Sequence, residues 1–581
     1  MRSQSPESKC KAEASSIRHI VNDLVLSLPR TPVTACKLSK ITPLLISLPA
    51  NSLSLTVKTT TAMMNLSFIL ESTAREYPDK DAFVLGDKRL TYAQINGAAN
   101  QLAHALKEKG IGKGDKVALS CPNLPYFPIA YFGILKTGAT VVPLSILLKH
   151  NEVAYHLQDS DARAIICFEG TDTLPMGKEA YEGFQQVDSC ERFITITADP
   201  AAASPFENSE TLGQLMHDKS PAFDTVQTAE TDTAVIIYTS GTTGHPKGAE
   251  LTHSNLLLNA VMVKDMIRIV PEDVMLTVLP LFHIFGQSVQ MNAGIAAGVT
   301  NVLLPRFDPG QVIALFLKEK VSFFAGVPTM YWALLHTPVD DDSVREISDN
   351  MRVAVSGGAS LPVSVMSEFE NKYKVPILEG YGMSEGSPVV TFNKLHRERK
   401  SGSIGSAVWG VEVKIVDEND NELPPGQKGE LIYRGHNVMK GYYKRPEANA
   451  ETLRNGWMHS GDVAVMDEDG DFFIVDRLKD MVIRGGLNVY PREVEEVLMK
   501  HPAVSLAAVI GVPDEKLGEE VKAFVVLKDG AQLTADELMA YAKGELAAYK
   551  YPRLIEFRDS LPMSATGKIL KKVLRRETDN A

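Results

Sequence analysis

Between Thr239 and Lys247 the chain reads TSGTTGHPK, which sets four hydroxyl side chains, Gly241, Gly244 and one lysine close together with little to bury. Backbone N–H groups in a glycine turn can point into one concavity, and hydroxyls with an ammonium add donors around an anion. Those residue types suit the holding of a phosphate. The stretch is not a Walker A loop, because Gly244 is followed by His245, Pro246, Lys247 and Gly248 rather than by Lys and a hydroxyl residue. On its own a Gly/Thr-rich turn is as readily a plain turn.

The elements around it make the first case for function. Thr233 to Tyr238, TAVIIY, is a β-branched apolar run of strand length, and Thr252 to Asn255 offer capping residues before LLLNAVMVKDMI, which has a helical period. The expected order is strand, glycine–hydroxyl loop, helix. From about 85 to 380 strand and helix patterns alternate, as in KVALSC, YFPIAYFGILKTG and TVVPLS, and later MRVAVSGG followed by PVSVMSEFENKY. That rhythm predicts an α/β domain of parallel sheets, whose ligands collect at the carboxyl ends of strands. From about 400 to 475 short strands and turns take over, predicting an antiparallel or barrel-like β module without a helix. After Arg477, PREVEEVLMKHP, VSLAAVIGV and EVKAFVVL read as helix, strand and strand of a small α+β domain. The expected division is a leader, 1–63, an N-terminal domain, 64–476, and a C-terminal domain, 477–581.

Composition narrows the function classes. A chain of 581 residues with 44% hydrophobic and 23% charged residues is ordinary globular material. A net charge of −12 speaks against a nucleic-acid partner, so an anionic ligand needs a local positive site. The five cysteines show no C-x-x-C spacing, which argues against a zinc ribbon or disulfide framework and fits a reducing, cytoplasmic compartment. No apolar stretch approaches membrane-spanning length. Residues 1–63 hold ten Ser, seven Thr and eight Lys or Arg against three acidic residues, with no sustained period. That leader is a targeting presequence or an upstream-extended start, and Met63 and Met64, standing where the globular pattern begins, favour the second.

Further motifs give the opening loop its context. SGGASLP (356–362), LEGYGMSEGSP (378–388), HSGDVA (459–464), DRLKDMVIRGGLNVYP (476–491) and SATGKILKKVLRRE (564–577) follow it in order. Together they resemble the adenylate-forming superfamily of acyl-CoA synthetases, luciferases and peptide-synthetase adenylation domains, over nearly all of Met64 to Glu577. The resemblance implies activation of a carboxylate by attack on the α-phosphate of ATP. It implies phosphate contacts from Thr239, Ser240, Gly241, Thr242, Thr243, Gly244 and Lys247, and an adenine wall of Gly357, Gly358 and Ala359 with Tyr381 stacking opposite. Glu379, Gly380, Gly382, Met383 and Ser384 fall in the same nucleotide-binding turn, and Glu385 with Thr239 would hold Mg²⁺. Asp462 and Arg477 match the ribose pair, Lys568 the lysine at the α-phosphate, and Lys479 the hinge about which a mobile C-terminal domain turns. The basic residues after Lys568, namely Lys571, Lys572, Arg575 and Arg576, read as a solvated face that could touch anionic lipid as a peripheral contact.

Within the superfamily the residues point to transfer to coenzyme A. No G-G-x-S carrier segment follows the last motif, and LPLFHIFG (279–286) stands where amino-acid activators carry F-D-x-S. LPLFHIFG resembles the acyl-CoA synthetase pattern, with His283 lining the acid and thiol side. RGGLNVYP resembles the hairpin that guides pantetheine, implying coenzyme A contacts at Arg484, Gly485 and Gly486. DRLKDMVI and FAGVPTMYWALL look most like bacterial long-chain or medium-chain fatty acid–CoA ligases, with a 4-coumarate-type ligase or a stand-alone adenylation protein as alternatives. A sheet-end tunnel floored by Gly286, Gly326, Gly357 and Gly358 would take a slim fatty acid. Monomer and homodimer are both compatible with the sequence.

Overall fold

The structure is a computed structural model, and it describes residues 64–239 and 245–579. Two large sheets are built mainly from strands between Asp81 and Ala407, as the alternating pattern requires. One has eight strands, with Lys116–Ser120, Thr140–Pro143 and Ala162–Phe168 paired in parallel at its centre and the hairpin Thr233–Thr239 and Lys247–Thr252 toward one side. The other has nine, with Val274–Thr277, Thr300–Leu303, Phe323–Gly326, Val353–Ser356 and Ile377–Gly382 parallel. Val353–Ser356 is buried along its whole length, as expected of a strand covered on both faces. The helix Tyr126–Lys136 is buried on every side, which its nearly unbroken apolar run predicts.

An antiparallel sheet follows, built from Val411–Val416, Lys428–Gly435, Trp457–Met466 and Phe472–Arg477. One continuous core joins these three sheets. Beyond them, Val482–Arg484, Leu487–Val489, Val504–Asp514, Gly518–Leu527 and Leu554–Phe557 make a fifth-of-the-chain unit with its own sheet and two separate apolar clusters. The fold is therefore the expected mixed α/β architecture with a small α+β unit at the C-terminal end. No described helix is long and apolar enough to cross a membrane.

Three local expectations are overturned. A strand, Lys247–Thr252, intervenes between the glycine–hydroxyl loop and the helix His253–Ile267, pairing Tyr238 with Gly248 and Thr239 with Lys247. The loop thus connects two antiparallel strands, and Thr252 caps the helix one element later, in a capping box with Asn255. Gly248 permits that pairing, since a Cβ there would come within 2.6 Å of Ile236 Cγ2. Second, the helix Pro446–Thr452 lies inside the stretch read as all β; it buries none of its residues and so leaves no apolar period to read. Third, the C-terminal helix Lys571–Asp579 is not simply solvated. Lys571 pairs with Glu495 at 2.7 Å and Arg575 with Asp480 at 2.9 Å, leaving Lys572 and Arg576 exposed.

Candidate active site

The last residues of three strands, Thr239, Ser356 and Gly382, line one cavity of about 700 Å³. The antiparallel sheet adds Asp462 and Arg477 to its wall, and the small unit adds Ser564, Thr566, Gly567 and Lys568. At Gly382 only a glycine fits, because a Cβ would lie 1.8 Å from the Pro388 carbonyl oxygen. That close approach folds residues 382–388 into the turn that turns Glu385 inward.

Glu385 is 4% exposed and its Oε1 accepts from the hydroxyls of Thr239, at 3.2 Å, and Tyr442, at 2.7 Å. Among the described residues no lysine or arginine pairs with it. A buried carboxylate flanked by hydroxyls and lacking a cation is a hard-oxygen donor set, which fits Mg²⁺. Lys247 stands beside it, its ammonium 4.8 Å from the Tyr442 ring centroid.

Asp462 is held from two sides. Tyr381 Oη donates to Oδ2 at 2.6 Å, and Arg477 Nε lies 3.2 Å from Oδ1. The turn before it is pinned in turn by Glu430, whose Oε1 accepts the Gly461 N–H at 2.9 Å while Oε2 meets His459 Nδ1 at 2.9 Å. Asp462 and Arg477 face each other across neighbouring strands, a pairing set by the sheet register. Burial, and next the Asp462 charge, pushes the Tyr381 phenol well up, so it is a proton donor throughout the physiological range.

Lys568 reaches the cavity on a loop closed by Ser564, whose hydroxyl accepts the Lys568 N–H at 3.1 Å. Thr329 Oγ1 donates to the Gly567 carbonyl at 3.2 Å and seats the loop against the parallel-sheet body. Burial pushes the Lys568 amine down to about 8, and the Arg477 guanidinium adds to the effect. His283 lines the same cavity; burial, then the Lys568 charge, lowers it to about 4. Its Nδ1 accepts the Phe285 N–H at 3.2 Å, so the neutral ring carries its proton on Nε2.

An apolar part of the wall had no signature in the sequence: Val263, Met266 and Ile267 of the helix His253–Ile267, with Val289 and Val389. Period alone places such residues on a buried face and leaves open whether that face meets core or cavity. Gly357, Gly358, Ala359, Gly380, Met383, Ser384 and Lys479 all border the cavity as well. Gly286 and Gly326 do not. A Cβ on Gly286 would meet the Pro280 carbonyl at 2.6 Å and one on Gly326 the Phe324 ring at 3.0 Å, so these glycines serve packing rather than a tunnel floor.

The Glu379 side chain also stays off the cavity. It accepts the Leu361 N–H at 3.0 Å behind the Gly357–Ala359 turn, and burial raises its carboxyl to about 7. Arg484, Gly485 and Gly486 lie off the cavity too, with Arg484 Nε paired to Glu520 at 2.6 Å. Ser240, Gly241, Thr242, Thr243 and Gly244, read as phosphate contacts, lie outside the described residues, as does the leader.

A carboxylate held for a cation, two lysine ammoniums, a tyrosine- and arginine-braced aspartate and a glycine-lined wall suit a nucleotide. A model of the AMP-binding enzyme family matches residues 70–443, and one of the AMP-binding enzyme C-terminal domain matches residues 493–568. The protein belongs to the AMP-binding enzyme family. A long-chain-fatty-acid–CoA ligase of Bacillus subtilis (strain 168) is 39% identical over 543 residues, covering 89% of this chain and 95% of its own. A feruloyl-CoA synthase of Amycolatopsis sp is 37% identical over 504 residues, covering 87% and 97%. Among solved structures, ATP-bound MatB from Rhodopseudomonas palustris superposes with a TM-score of 0.80 at 32% identity, covering 89% of this chain and 99% of its own, and the apo form of MatB with 0.69.

Proposed function

We propose that the protein is an AMP-forming fatty acid–CoA ligase working in two half-reactions. In the first, a carboxylate oxygen of the acid attacks the α-phosphorus of ATP, the bond to the β-phosphate oxygen breaks, and acyl-AMP and pyrophosphate result. In the second, the thiol sulfur of coenzyme A attacks the acyl carbon, AMP leaves and the thiol proton goes to solvent. The first step exchanges an oxide leaving group for a phosphate ester, which is why a nucleotide is needed.

In this reading Asp462 accepts the ribose hydroxyls, Arg477 steadies it, and Gly357, Gly358 and Ala359 leave the adenine a flat wall. Thr239 and Glu385 would hold Mg²⁺, which neutralises phosphate charge, and Lys247 adds a second cation. Lys568 faces the α-phosphate, where negative charge grows as the acid attacks. The proposed division into units at residue 477, with Lys479 as pivot, lets the hairpin at Arg484 to Gly486 replace Lys568 for the thiol step. The better superposition on ATP-bound than on apo MatB supports an adenylating orientation for this structure.

The observation that carries the fatty-acid assignment is the apolar wall of Val263, Met266, Ile267 and Val289 in the same cavity as Lys568 and His283. Among the described residues the carboxylates that line the cavity, Glu385, Glu430, Glu451 and Asp462, come from other elements than this apolar wall, and an ammonium left unpaired against it costs several kcal/mol. The relationship to a feruloyl-CoA synthase favours, as a second reading, an aryl acid in the same space. AMP formation measured with and without coenzyme A, over C4 to C18 fatty acids, ferulate, benzoate and free amino acids, separates them. Highest kcat/KM with a C8 to C18 acid is expected; a higher value for ferulate would install the second reading, and a higher value for any amino acid would overturn both.

A further inference from the structure

Tyr442 belongs to none of the sequence motifs that mark the site, yet it touches two groups in it. It sits on the two-residue strand Gly441–Tyr442, which pairs antiparallel with Lys247–Thr252, Tyr442 facing Ala249. It is 6% exposed and borders the cavity. Its hydroxyl donates to Glu385 Oε1 at 2.7 Å, and the face of its ring lies 4.8 Å from the Lys247 ammonium. Glu385 is 57 residues away in sequence and Lys247 nearly two hundred, so this single side chain joins two distant motifs.

We propose that Tyr442 is the positioning residue that aims both the Glu385 carboxylate and the Lys247 ammonium at the nucleotide phosphates and their metal. The inference rests on the nucleotide reading above. With Thr239 and Tyr442 both donating to Oε1, that oxygen is committed to the protein and Oε2 is left for a cation. A lysine on a four-carbon stem has many rotamers, and the negative face of an aromatic ring narrows them without neutralising the charge. An acidic partner would have fixed Lys247 equally well but would compete with phosphate for it. Among the described residues Lys247 has none.

The backbone is built to hold this side chain still. The Asn449 carboxamide grips Tyr442 at both ends, Oδ1 accepting its N–H at 2.6 Å and Nδ2 donating to its carbonyl at 3.0 Å. The flanking residues tie the strand to both motifs: Met439 N–H donates to the Glu385 carbonyl at 2.8 Å and Tyr443 N–H to the Gly248 carbonyl at 2.8 Å. The Met439 and Tyr443 bonds thus fix Tyr442 relative to Glu385 and to the strand of Lys247, while Asn449 holds its own backbone.

Calorimetric titration of ATP into the full chain, once with Mg²⁺ and once with EDTA, tests the assignment apart from turnover. In Tyr442→Phe the ring remains and the hydroxyl goes, so the extra affinity conferred by Mg²⁺ should fall about tenfold while metal-free ATP affinity stays within about twofold. Tyr442→Leu should in addition weaken metal-free ATP binding, by about threefold, through loss of the ring beneath Lys247. Placed in a Glu385→Gln background, Tyr442→Phe should add no further loss of the Mg²⁺ effect, because the two groups act as one unit. Tyr443→Phe, which removes a neighbouring hydroxyl bonded to Asp161 at 2.7 Å and off the cavity, should match the parent chain. Equal weakening with and without Mg²⁺ in Tyr442→Phe, or additive losses in the double variant, would overturn the proposal. Failure of the parent chain to bind ATP under either condition would instead remove the nucleotide reading, and this assignment with it.

Discussion

The loop Ser564 to Lys568 and the hairpin Val482 to Val489 belong to the same small C-terminal unit, yet only the loop borders the cavity. Lys568 has no ion-pair partner among the described residues and is buried enough that its amine falls to about 8. Arg484, at the base of the hairpin tip, is paired with Glu520, and its neighbours Ile483 and Leu487 are 50% and 49% exposed. One group is thus poised without a protein partner and the other is parked with one. Under the two-step reading proposed above, the contrast is what a rigid unit would give if its two edges served different half-reactions. Several contacts cross the junction. Asp476 Oδ2 accepts the Arg492 N–H at 2.8 Å, the Arg492 guanidinium donates to the Ile474 carbonyl, and Lys428 lies 4.7 Å from the Tyr490 ring centroid.

The largest effect should come from removing the poised group. Lys568→Ala is expected to lower acyl-AMP formation by about 10²- to 10³-fold, while supplied acyl-AMP and coenzyme A still give thioester at close to the parent rate. Equal loss of both half-reactions in a folded variant would end the contrast between loop and hairpin. The pH profile sharpens it. The ammonium form of Lys568 is populated below about 8, so kcat/KM for ATP should fall as pH rises through that value, and the alanine variant should lose that limb.

An intermediate effect is expected at the junction. Proline fixes φ and removes an N–H, so Lys479→Pro should slow thioester formation by about tenfold or more while acyl-AMP still accumulates, as rapid quench would record. Unchanged transfer would place the pivot elsewhere. The smallest effect belongs to Arg492→Ala, which deletes a single side-chain contact across the junction. Adenylation should fall by about two- to fivefold, in line with one hydrogen bond, with thioester formation from supplied acyl-AMP unchanged or faster. A parallel fall in both would make that contact part of the fold's stability and not of its orientation.

The chemistry was legible in the chain because it depends on residue types in fixed local order. A glycine–hydroxyl loop after a β-branched strand, a GYGMSE turn and a terminal GK are each short, and their succession along 64–577 carried the family without any contact being known. The parallel sheets were legible for a similar reason, since strands buried on both faces read as unbroken apolar runs. Direction and partnership were not. Whether Glu379 or Glu385, six residues apart, enters the cavity is decided by the sharp approach of Gly382 to Pro388, which turns one carboxylate inward and leaves the other under Leu361. That Lys571 and Arg575 are paired while Lys572 and Arg576 are exposed follows from where Glu495 and Asp480 arrive in space. The strand Lys247–Thr252 exists because it can pair on both sides, with Thr233–Thr239 and with the remote Gly441–Tyr442, and no local propensity announces such a partner. The sequence by itself determined the family and the inventory of reacting groups; only the tertiary structure decided which of them meet, because a side chain's neighbours are set by packing between segments hundreds of residues apart.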